Sequence, residues 1–330
     1  MGKIKYWYYD NYVDYPKKDN SKKRDSIIVS KWELEKYALL NGLFNGHLLS
    51  KEGKDFYLSF YKMAIKEDSK GIYTCTADYK CAETSYKVTI SFAMGMIAAR
   101  IIALKKYDIV HLFHLKDKSI EYVPKGTSVP DWFGIDSHGI PFLFESKGSD
   151  GPSVSKKIME GAKRQLASIR SITDKSGNIK TFFTPDFERH VVVSCFRYDR
   201  KNKIKDRWYV QDVDPEGEGT IDIIIDLNKE YFKYYKTFVS FLDSYNIPYE
   251  EMEINKQRYY FLYCEDVKLG IHKSIYDAVK SKKYTEDNKF RNFNENINNV
   301  LNTIKCEKYI EDSSSFEDGI IVCSSDMKFD

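Results

Sequence analysis

The sequence predicts an α/β protein in which a central mixed β-sheet is flanked by helices. The first observation is the order of apolar patterns, in which a long helical run precedes strand-like runs, a second helical run and further strands. The second is the run 140–144 (IPFLF), which is apolar on both faces, as a buried central strand is. The third is an aromatic share of 15%, which favours a core that contains β-structure.

Length and composition limit the class of protein. The chain has 330 residues, enough for one large domain or two ordinary ones, and its hydrophobic share of 42% indicates a folded globular protein. The net charge is only +3, so any surface for nucleic acid must be a local patch. No uncharged apolar run is long enough to span a bilayer, and the first 25 residues lack the apolar core of a signal peptide. A cytoplasmic protein with no membrane partner is therefore expected.

The cysteines do not form a metal-binding pattern. Six are dispersed along the chain, and only Cys75 and Cys81 are close in sequence. Their spacing, without a second pair, is a poor zinc site. Free thiols in a cytoplasmic protein are the better interpretation.

Three segments follow one another along the chain. Residues 1–82 form an aromatic-rich N-terminal region, in which a helix is expected to begin after Ser30 (SKWELEKYALLNGLFNG). Residues 83–215 form the predicted core. Residues 216–330 form a C-terminal α/β region that alternates strand-like and helical runs, and its last strand (DGIIVCSS) is expected to rejoin the main sheet.

Within 83–215 the elements are predicted in order. A largely buried helix covers 83–105, and strands are expected from Tyr107 (YDIVHLFHL) and Ser119 (SIEYV). A hairpin with Gly139 in its turn occupies 130–148. A helix follows that starts near Pro152 or Ser153, and two strands (RHVVVSCFRY and RWYVQDVD) end the segment. One face of that helix is formed by Val154, Ile158, Ala162, Leu166, Ile169 and Ile172.

The hairpin carries the residues that suggest chemistry. The second strand ends in Glu145-Ser146-Lys147, where the alternation of side chains puts Glu145 and Lys147 on one face. In an antiparallel hairpin the start of one strand lies beside the end of the other, so Asp131 is expected to approach Glu145. Two carboxylates and the backbone carbonyl of Ser146 suit a hard cation such as Mg²⁺ or Mn²⁺. Lys147 is then placed to orient a water molecule that attacks phosphorus.

Pro130-Asp131, a hairpin and then Glu145-Ser146-Lys147 resemble the PD-(D/E)XK nuclease superfamily. The apolar strand before Glu145 and the amphipathic helix after it also fit. The resemblance covers about residues 83–215 and implies a restriction-endonuclease-like core. It also implies metal-dependent cleavage of phosphodiester bonds that leaves a 5′-phosphate, with Asp131, Glu145 and Lys147 in the catalytic positions.

Further residues are assigned to the predicted site. Gln165 lies within the apolar stripe of the following helix, and many members of the superfamily place a Gln or Lys there near the metal. The RecB-like branch has a Tyr four residues later, whereas this chain has Ile169, so the subfamily stays open. Glu83 is the one acidic residue of the first helix to consider. The expected contacts with nucleic acid come from Lys156, Lys157, Lys163 and Arg164.

The sequence thus predicts a metal-dependent endonuclease, with DNA a better candidate substrate than RNA. The resemblance associates such a chain with microbial defence or restriction, acting with a partner protein or ATPase or as an oligomer. The chain has no GxxxxGK[ST] motif of its own. Two alternatives stay open: a catalytically silent subunit that binds nucleic acid or assembles with other proteins, and a metal-independent protein that binds partners through its Tyr-rich ends.

Overall fold

The computed structural model describes residues 1–17, 21–43, 51–116, 120–123, 128–176, 180–199, 204–264, 267–281, 290, 292–304, 313–314 and 317–327. The strands are β1 (Gly2–Tyr9), β2 (Lys23–Val29), β3 (Ile65–Glu67), β4 (Tyr73–Cys75), β5 (Phe113–His114), β6 (Glu121–Val123), β7 (Trp132–Ile135), β8 (Pro141–Ser149), β9 (Ile169–Asp174), β10 (Lys180–Phe183), β11 (Glu188–Asp199), β12 (Ile204–Val213), β13 (Ile221–Ile225), β14 (Glu250–Ile254), β15 (Gln257–Cys264), β16 (Val267–His272) and β17 (Ile320–Ser324). The helices are α1 (Lys31–Leu43), α2 (Lys51–Ala64), α3 (Ala77–Cys81), α4 (Thr84–Tyr107), α5 (Lys156–Ala167), α6 (Leu227–Asp243), α7 (Lys273–Lys280) and α8 (Phe293–Ile304).

The described chain divides into two compact units. The first contains residues 1–29, 57–173 and 181–224, and the second contains 30–56, 174–180 and 225–330. These units cut across the three segments predicted from the sequence, because the region 1–82 is shared between them. The predicted core 83–215 lies mainly in the first unit.

The first unit is built on a large mixed sheet. Its strands run in the order β2-β1-β12-β11-β8-β7-β5, and β4 joins β3 to β12. Two pairs are parallel, β1 with β12 and β8 with β11, while the other neighbours along this path are antiparallel. The predicted α/β class, with a central mixed sheet flanked by helices, is confirmed. A smaller sheet with the order β10-β9-β13-β6 stands apart from the large one.

Helix α4 is the long buried helix of the first unit. Its N-cap is Glu83, so the predicted start is confirmed, and it ends at Asp108 in the left-handed conformation. By length and composition it could cross a membrane, but 67% of its most apolar window is buried within the protein. It packs on β8 and β11, which is where a core helix of a folded domain belongs.

A cluster of polar side chains holds the C-terminal end of α4 on the sheet. The Tyr107 hydroxyl donates to Asp212 Oδ2 at 2.5 Å, and the Tyr6 hydroxyl donates to the same oxygen at 3.0 Å. His190 Nδ1 pairs with Asp212 Oδ1 at 2.9 Å. Burial would by itself lower the pKa of His190, but the adjacent Asp212 carboxylate raises it above its usual value. The cluster joins α4, β1, β11 and β12 in the interior of the first unit.

Helix α5 is shorter than the sequence predicted. It begins after the N-cap Ser155 and ends at Ala167, so Ile169 and Ile172 belong to β9 and not to the helix. Ile158 is 46% exposed, which contradicts its predicted place on the buried face. The buried residues are Met159, Ala162 and Leu166. The predicted face is therefore confirmed at Ala162 and Leu166 and wrong at Ile158, Ile169 and Ile172, the last two because the apolar positions of β9 continue the helical spacing.

The strand predicted from Tyr107 is also mostly absent. Helix α4 continues through Tyr107, and only Phe113–His114 pairs as a strand, with β7. Ile109 and Leu112 are buried without regular structure. An apolar run alone therefore did not distinguish an irregular buried connection from a strand.

The second unit contains an antiparallel sheet with the order β14-β15-β16-β17, together with α1, α6, α7 and α8. Helix α1 begins as predicted, because Ser30 and Glu33 form a reciprocal cap: the Ser30 N–H donates to Glu33 Oε2 at 2.8 Å and the Glu33 N–H donates to Ser30 Oγ at 3.0 Å. The last strand, β17, pairs with β16 and not with the main sheet, so that expectation was wrong.

Candidate metal and nucleic-acid site

The hairpin β7–β8 forms with the register that the sequence predicted. Trp132 lies opposite Phe144 and Phe133 lies opposite Leu143. Continuing this pairing by one residue places Asp131 opposite Glu145. Gly139 has φ of +84° in the turn, and the carboxylate of Asp136 accepts from the N–H groups of His138 and Ile140. Asp136 is therefore a turn residue.

Asp131 and Glu145 hold each other through the backbone. The N–H of Asp131 donates to Glu145 Oε2 at 3.0 Å, and the N–H of Ser146 donates to Asp131 Oδ2 at 2.9 Å. Asp131 is 4% exposed and Glu145 is 1% exposed. The two carboxylates therefore converge on one buried place, as predicted from the hairpin, although β8 continues past Glu145 to Ser149.

Two lysines complete the charge balance of this site. Lys147 Nζ forms a short ion pair with Glu145 Oε1, and Lys116 Nζ donates to Asp131 Oδ1 at 2.6 Å. Each carboxylate therefore receives one backbone N–H and one ammonium group. The side chain of Lys147 is 24% exposed and that of Lys116 is 50% exposed, so both ammonium groups reach the site from the solvent side.

The carboxyl group of Glu145 has a pKa close to neutral pH. Its pKa is raised from 4.5 to about 7, mainly by burial and next by the neighbouring Asp131 carboxylate. Lys147 and Lys116 oppose this shift without cancelling it. Burial would lower the pKa of Lys116, but the Asp131 carboxylate raises it above its usual value. Burial and the Asp131 carboxylate thus outweigh the two lysines in their effect on the pKa of Glu145.

These donors suit a hard divalent cation. Both side-chain donors are carboxylates, and the N–H of Ser146 points to the side of β8 where Asp131 lies. The C=O of a strand residue points to the same side as its own N–H, so the carbonyl of Ser146 is expected to face that side too. Mg²⁺ and Mn²⁺ accept such all-oxygen sets, with water in the remaining positions. Across the described residues, no group of three or more His, Cys, Asp or Glu side chains is arranged to hold a metal, so this pair needs the main chain and water.

The opposite face of β8 supports the site from behind. Trp132 Nε1 donates to Ser146 Oγ at 2.9 Å, and the guanidinium of Arg100 on α4 lies 4.6 Å from the centre of the Trp132 ring. The Ser146 hydroxyl is therefore used in packing, while its backbone remains on the side of Asp131. This arrangement fixes the end of β8 in position.

Gln165 contacts the segment that leads into Asp131. It is half-buried on α5, next to Leu166, and its Nε2 donates to the carbonyl of Val129 at 3.2 Å. Val129 precedes Asp131 by two residues. Gln165 therefore holds the segment that leads into Asp131, and its role is one of positioning. Glu83 caps α4 by accepting from the Ser85 N–H and is exposed, so it is not part of this cluster.

The predicted nucleic-acid residues lie on α5. Lys156, Lys157 and Arg164 are exposed, while Lys163 is half-buried, with its Nζ 4.2 Å from the centre of the Tyr12 ring. Lys156 lies 3.8 Å from Glu160, a weak surface pair. The exposed basic groups therefore lie on the outer side of α5. The C-terminal part of this helix contacts the segment that leads into Asp131.

Lys116 is the site residue that the sequence analysis missed. It follows a short strand in an irregular connection, and no motif contains it. The one signal was its position immediately after the apolar run 107–115, which contains the strand next to β7. A lysine that leaves a buried run beside a predicted carboxylate pair is a candidate partner for that pair.

A scan against protein-family models, a search of curated proteins and a search of solved structures each found no match to this chain.

Proposed function

We propose that this chain is a divalent-metal-dependent nuclease with a restriction-endonuclease-like core that hydrolyses phosphodiester bonds in DNA. The observation that carries the proposal is the convergence of Asp131 and Glu145, from two paired strands, on one buried point beside Lys147. Buried carboxylates are costly unless cations offset them, and a divalent ion would add positive charge where the two carboxylates converge.

Each residue has a distinct role in this proposal. Asp131, Glu145 and the Ser146 carbonyl hold Mg²⁺ or Mn²⁺, which supplies charge stabilisation at the phosphoryl oxygens when bound. Lys147 orients the attacking water and offsets negative charge. Lys116 pairs with Asp131 while the substrate is absent, and Gln165 fixes the approach to Asp131. Lys156, Lys157, Lys163 and Arg164 contact phosphates along the strand.

The test is a cleavage assay with the purified chain. Supercoiled plasmid, linear duplex, single-stranded DNA and RNA are incubated with Mg²⁺, with Mn²⁺ and with a chelator. Glu145→Gln and Asp131→Asn are expected to lose at least about 100-fold in rate, because charge stabilisation in the site is lost. Glu216→Gln, an exposed carboxylate on a loop, is the control and should cut like the parent. Cleavage that survives in Glu145→Gln would refute the assignment.

One observation favours a second function, that of a catalytically silent subunit that binds nucleic acid or assembles with a partner protein. All four carboxylate oxygens of Asp131 and Glu145 already receive a donor from the chain itself. A site neutralised in this way needs no metal to be stable. This alternative predicts that divalent ions do not shift the melting temperature and that DNA binding is unchanged in Glu145→Gln.

The cellular setting follows from the resemblance to the nuclease superfamily. We propose a cytoplasmic role in microbial defence or restriction, in which an accompanying protein or ATPase supplies any nucleotide-driven step. Such a nuclease needs a trigger. Co-purification of the tagged chain from its own cells, followed by cleavage assays with and without the recovered partner, would test this setting.

A further inference from the structure

A pocket lies beside the first turns of α5, in the first unit. It has a volume of about 370 Å³ and is lined by Tyr12, Val13, Tyr15, Pro16, Val154, Lys156 and Met159. This volume is at the lower end of the range of about 300–1,000 Å³ found for ligand pockets. The loop that follows β1 forms one wall, and the segment that leads from β8 into α5 forms the other.

The walls are aromatic and apolar, while the rim is basic. The hydroxyl of Tyr15 accepts from the Val154 N–H at 3.0 Å, which fixes its ring against the second wall. Tyr12 is half-buried, and Lys163 Nζ lies 4.2 Å from its ring centre. Lys156 lines the pocket and is exposed. Aromatic faces bordered by ammonium groups are suited to a planar ring that is attached to a phosphate.

The pocket is close to the candidate metal site along α5. Met159 lines the pocket, and Gln165, six residues later, contacts the carbonyl of Val129 beside Asp131. Six helical residues correspond to about 9 Å.

We propose that this pocket binds one unpaired nucleobase of the nucleic-acid strand, by stacking on Tyr12, while Lys156 and Lys163 contact its phosphates. The proposal rests on the proposed nuclease function for the identity of the ligand. A base inside a duplex has both faces covered by its neighbours, so only a single-stranded or flipped base can enter. The substrate class is therefore a single strand, or a duplex with an unpaired stretch beside the bond that is cut.

The test measures binding in the presence of a chelator, where no cleavage occurs. The full chain is titrated into a labelled single-stranded DNA of about 12 nucleotides that carries one fluorescent base analogue, and into the matched duplex. Anisotropy reports affinity, and the intensity of the analogue reports stacking. A single-stranded RNA of the same sequence shows whether the sugar matters.

Tyr12→Ala is expected to raise the dissociation constant for the single strand about 5- to 150-fold, the range that corresponds to losing one stacked base. Tyr12→Phe keeps the ring and should bind like the parent. Val13→Glu, at a position that is 75% exposed, places a negative charge on the pocket wall and should weaken binding without affecting folding. Phe183→Ala removes an aromatic side chain that is 53% exposed on β10 and is the matched control.

The two proposals fail in different ways. If Tyr12→Ala and Val13→Glu bind the single strand as tightly as Phe183→Ala does, or if duplex binding falls equally, the nucleobase pocket is refuted even when plasmid is cut. If Tyr12-dependent binding is present but no divalent ion supports cleavage of any substrate, the pocket stands and the nuclease assignment falls.

Discussion

Glu145 is the residue whose chemistry matters most, because its carboxyl is buried beside a second carboxylate. Because its pKa is about 7, Glu145 is protonated in most of the molecules at mildly acidic pH. The Asp131 carboxylate raises this pKa, whereas Lys147 and Lys116 lower it. A bound divalent cation has to compete with this proton as well as with the ammonium group of Lys147.

Metal binding should therefore depend on pH around neutrality. A metal ion requires the deprotonated carboxylate, so the apparent dissociation constant for Mn²⁺ should rise about tenfold for each pH unit below about 7 and level off above it. Isothermal titration at a series of pH values measures this. In Glu145→Gln the remaining affinity should be weak and nearly independent of pH in this range. A flat profile in the parent protein would contradict the prediction.

If the proposed site binds a divalent cation, Lys116 competes with that cation for Asp131. Replacing it with Met should increase the rise in melting temperature that Mn²⁺ produces at about pH 8, because the competing ammonium group is gone and the carboxylates are less compensated. Without metal the variant should be slightly less stable than the parent. Differential scanning fluorimetry with and without Mn²⁺ measures both effects.

The control for this change is Lys157→Met, which removes an exposed lysine of α5. It should melt like the parent in both conditions. An equal metal-induced shift in Lys116→Met and the parent would show that Lys116 does not oppose cation binding.

At the scale of elements, the contact between α4 and β8 is unusually close. A Cβ atom added to Gly148 would lie 1.8 Å from the carbonyl oxygen of Ser91, and one added to Gly95 would lie 2.8 Å from the backbone of Lys147. Only glycines allow the two backbones to approach in this way. This contact sets the position of the end of β8, where Lys147 lies.

Gly148→Ala should therefore be destabilising by at least about 1–3 kcal/mol, because the new methyl group meets backbone that cannot yield easily. Gly161→Ala is the matched control, since its Cβ meets nothing within 4 Å in the middle of α5. That change should be neutral or stabilising by up to about 1 kcal/mol. Urea unfolding measures both, and similar midpoints for the two variants would contradict the close contact.

The elements also show what local pattern can and cannot predict. The hairpin, its Gly139 turn and the approach of Asp131 to Glu145 were predictable because strand alternation and antiparallel pairing are local rules. The end of α5 was not, because Ile169 and Ile172 continue a helical spacing although they lie in a strand. Lys116 was missed because its contact depends on the path of an irregular connection, which no periodic pattern encodes.

At the scale of the whole molecule, a buried ion pair of the second unit connects distant parts of the chain. Lys36 Nζ of α1 lies 2.5 Å from Asp318 Oδ1 and donates to the carbonyl of Ile320 at 2.8 Å. The hydroxyl of Tyr234 on α6 donates to the other oxygen of Asp318 at 2.7 Å. These contacts join an early helix to the start of the last strand.

Asp318→Asn should cost about 3–5 kcal/mol, because it removes the buried carboxylate that pairs with the ammonium group of Lys36. Lys280→Ala breaks the exposed pair with Asp243 and is the control, for which a cost below about 1 kcal/mol is expected. Thermal and urea unfolding of the full chain compare the two. Equal costs would show that the Lys36 pair is not held out of water.

Because β1 pairs with β12, the large sheet cannot be completed until β12 has been synthesised. Lys5 of β1 pairs with Tyr209 of β12, and Glu145 of β8 pairs with Val191 of β11. An isolated hairpin is barely stable in water, so β7 and β8 have to wait for strands that leave the ribosome much later. A nascent chain that stops before β11 therefore carries both carboxylates beside an unpaired edge of β8, the kind of edge that chaperones shield during synthesis.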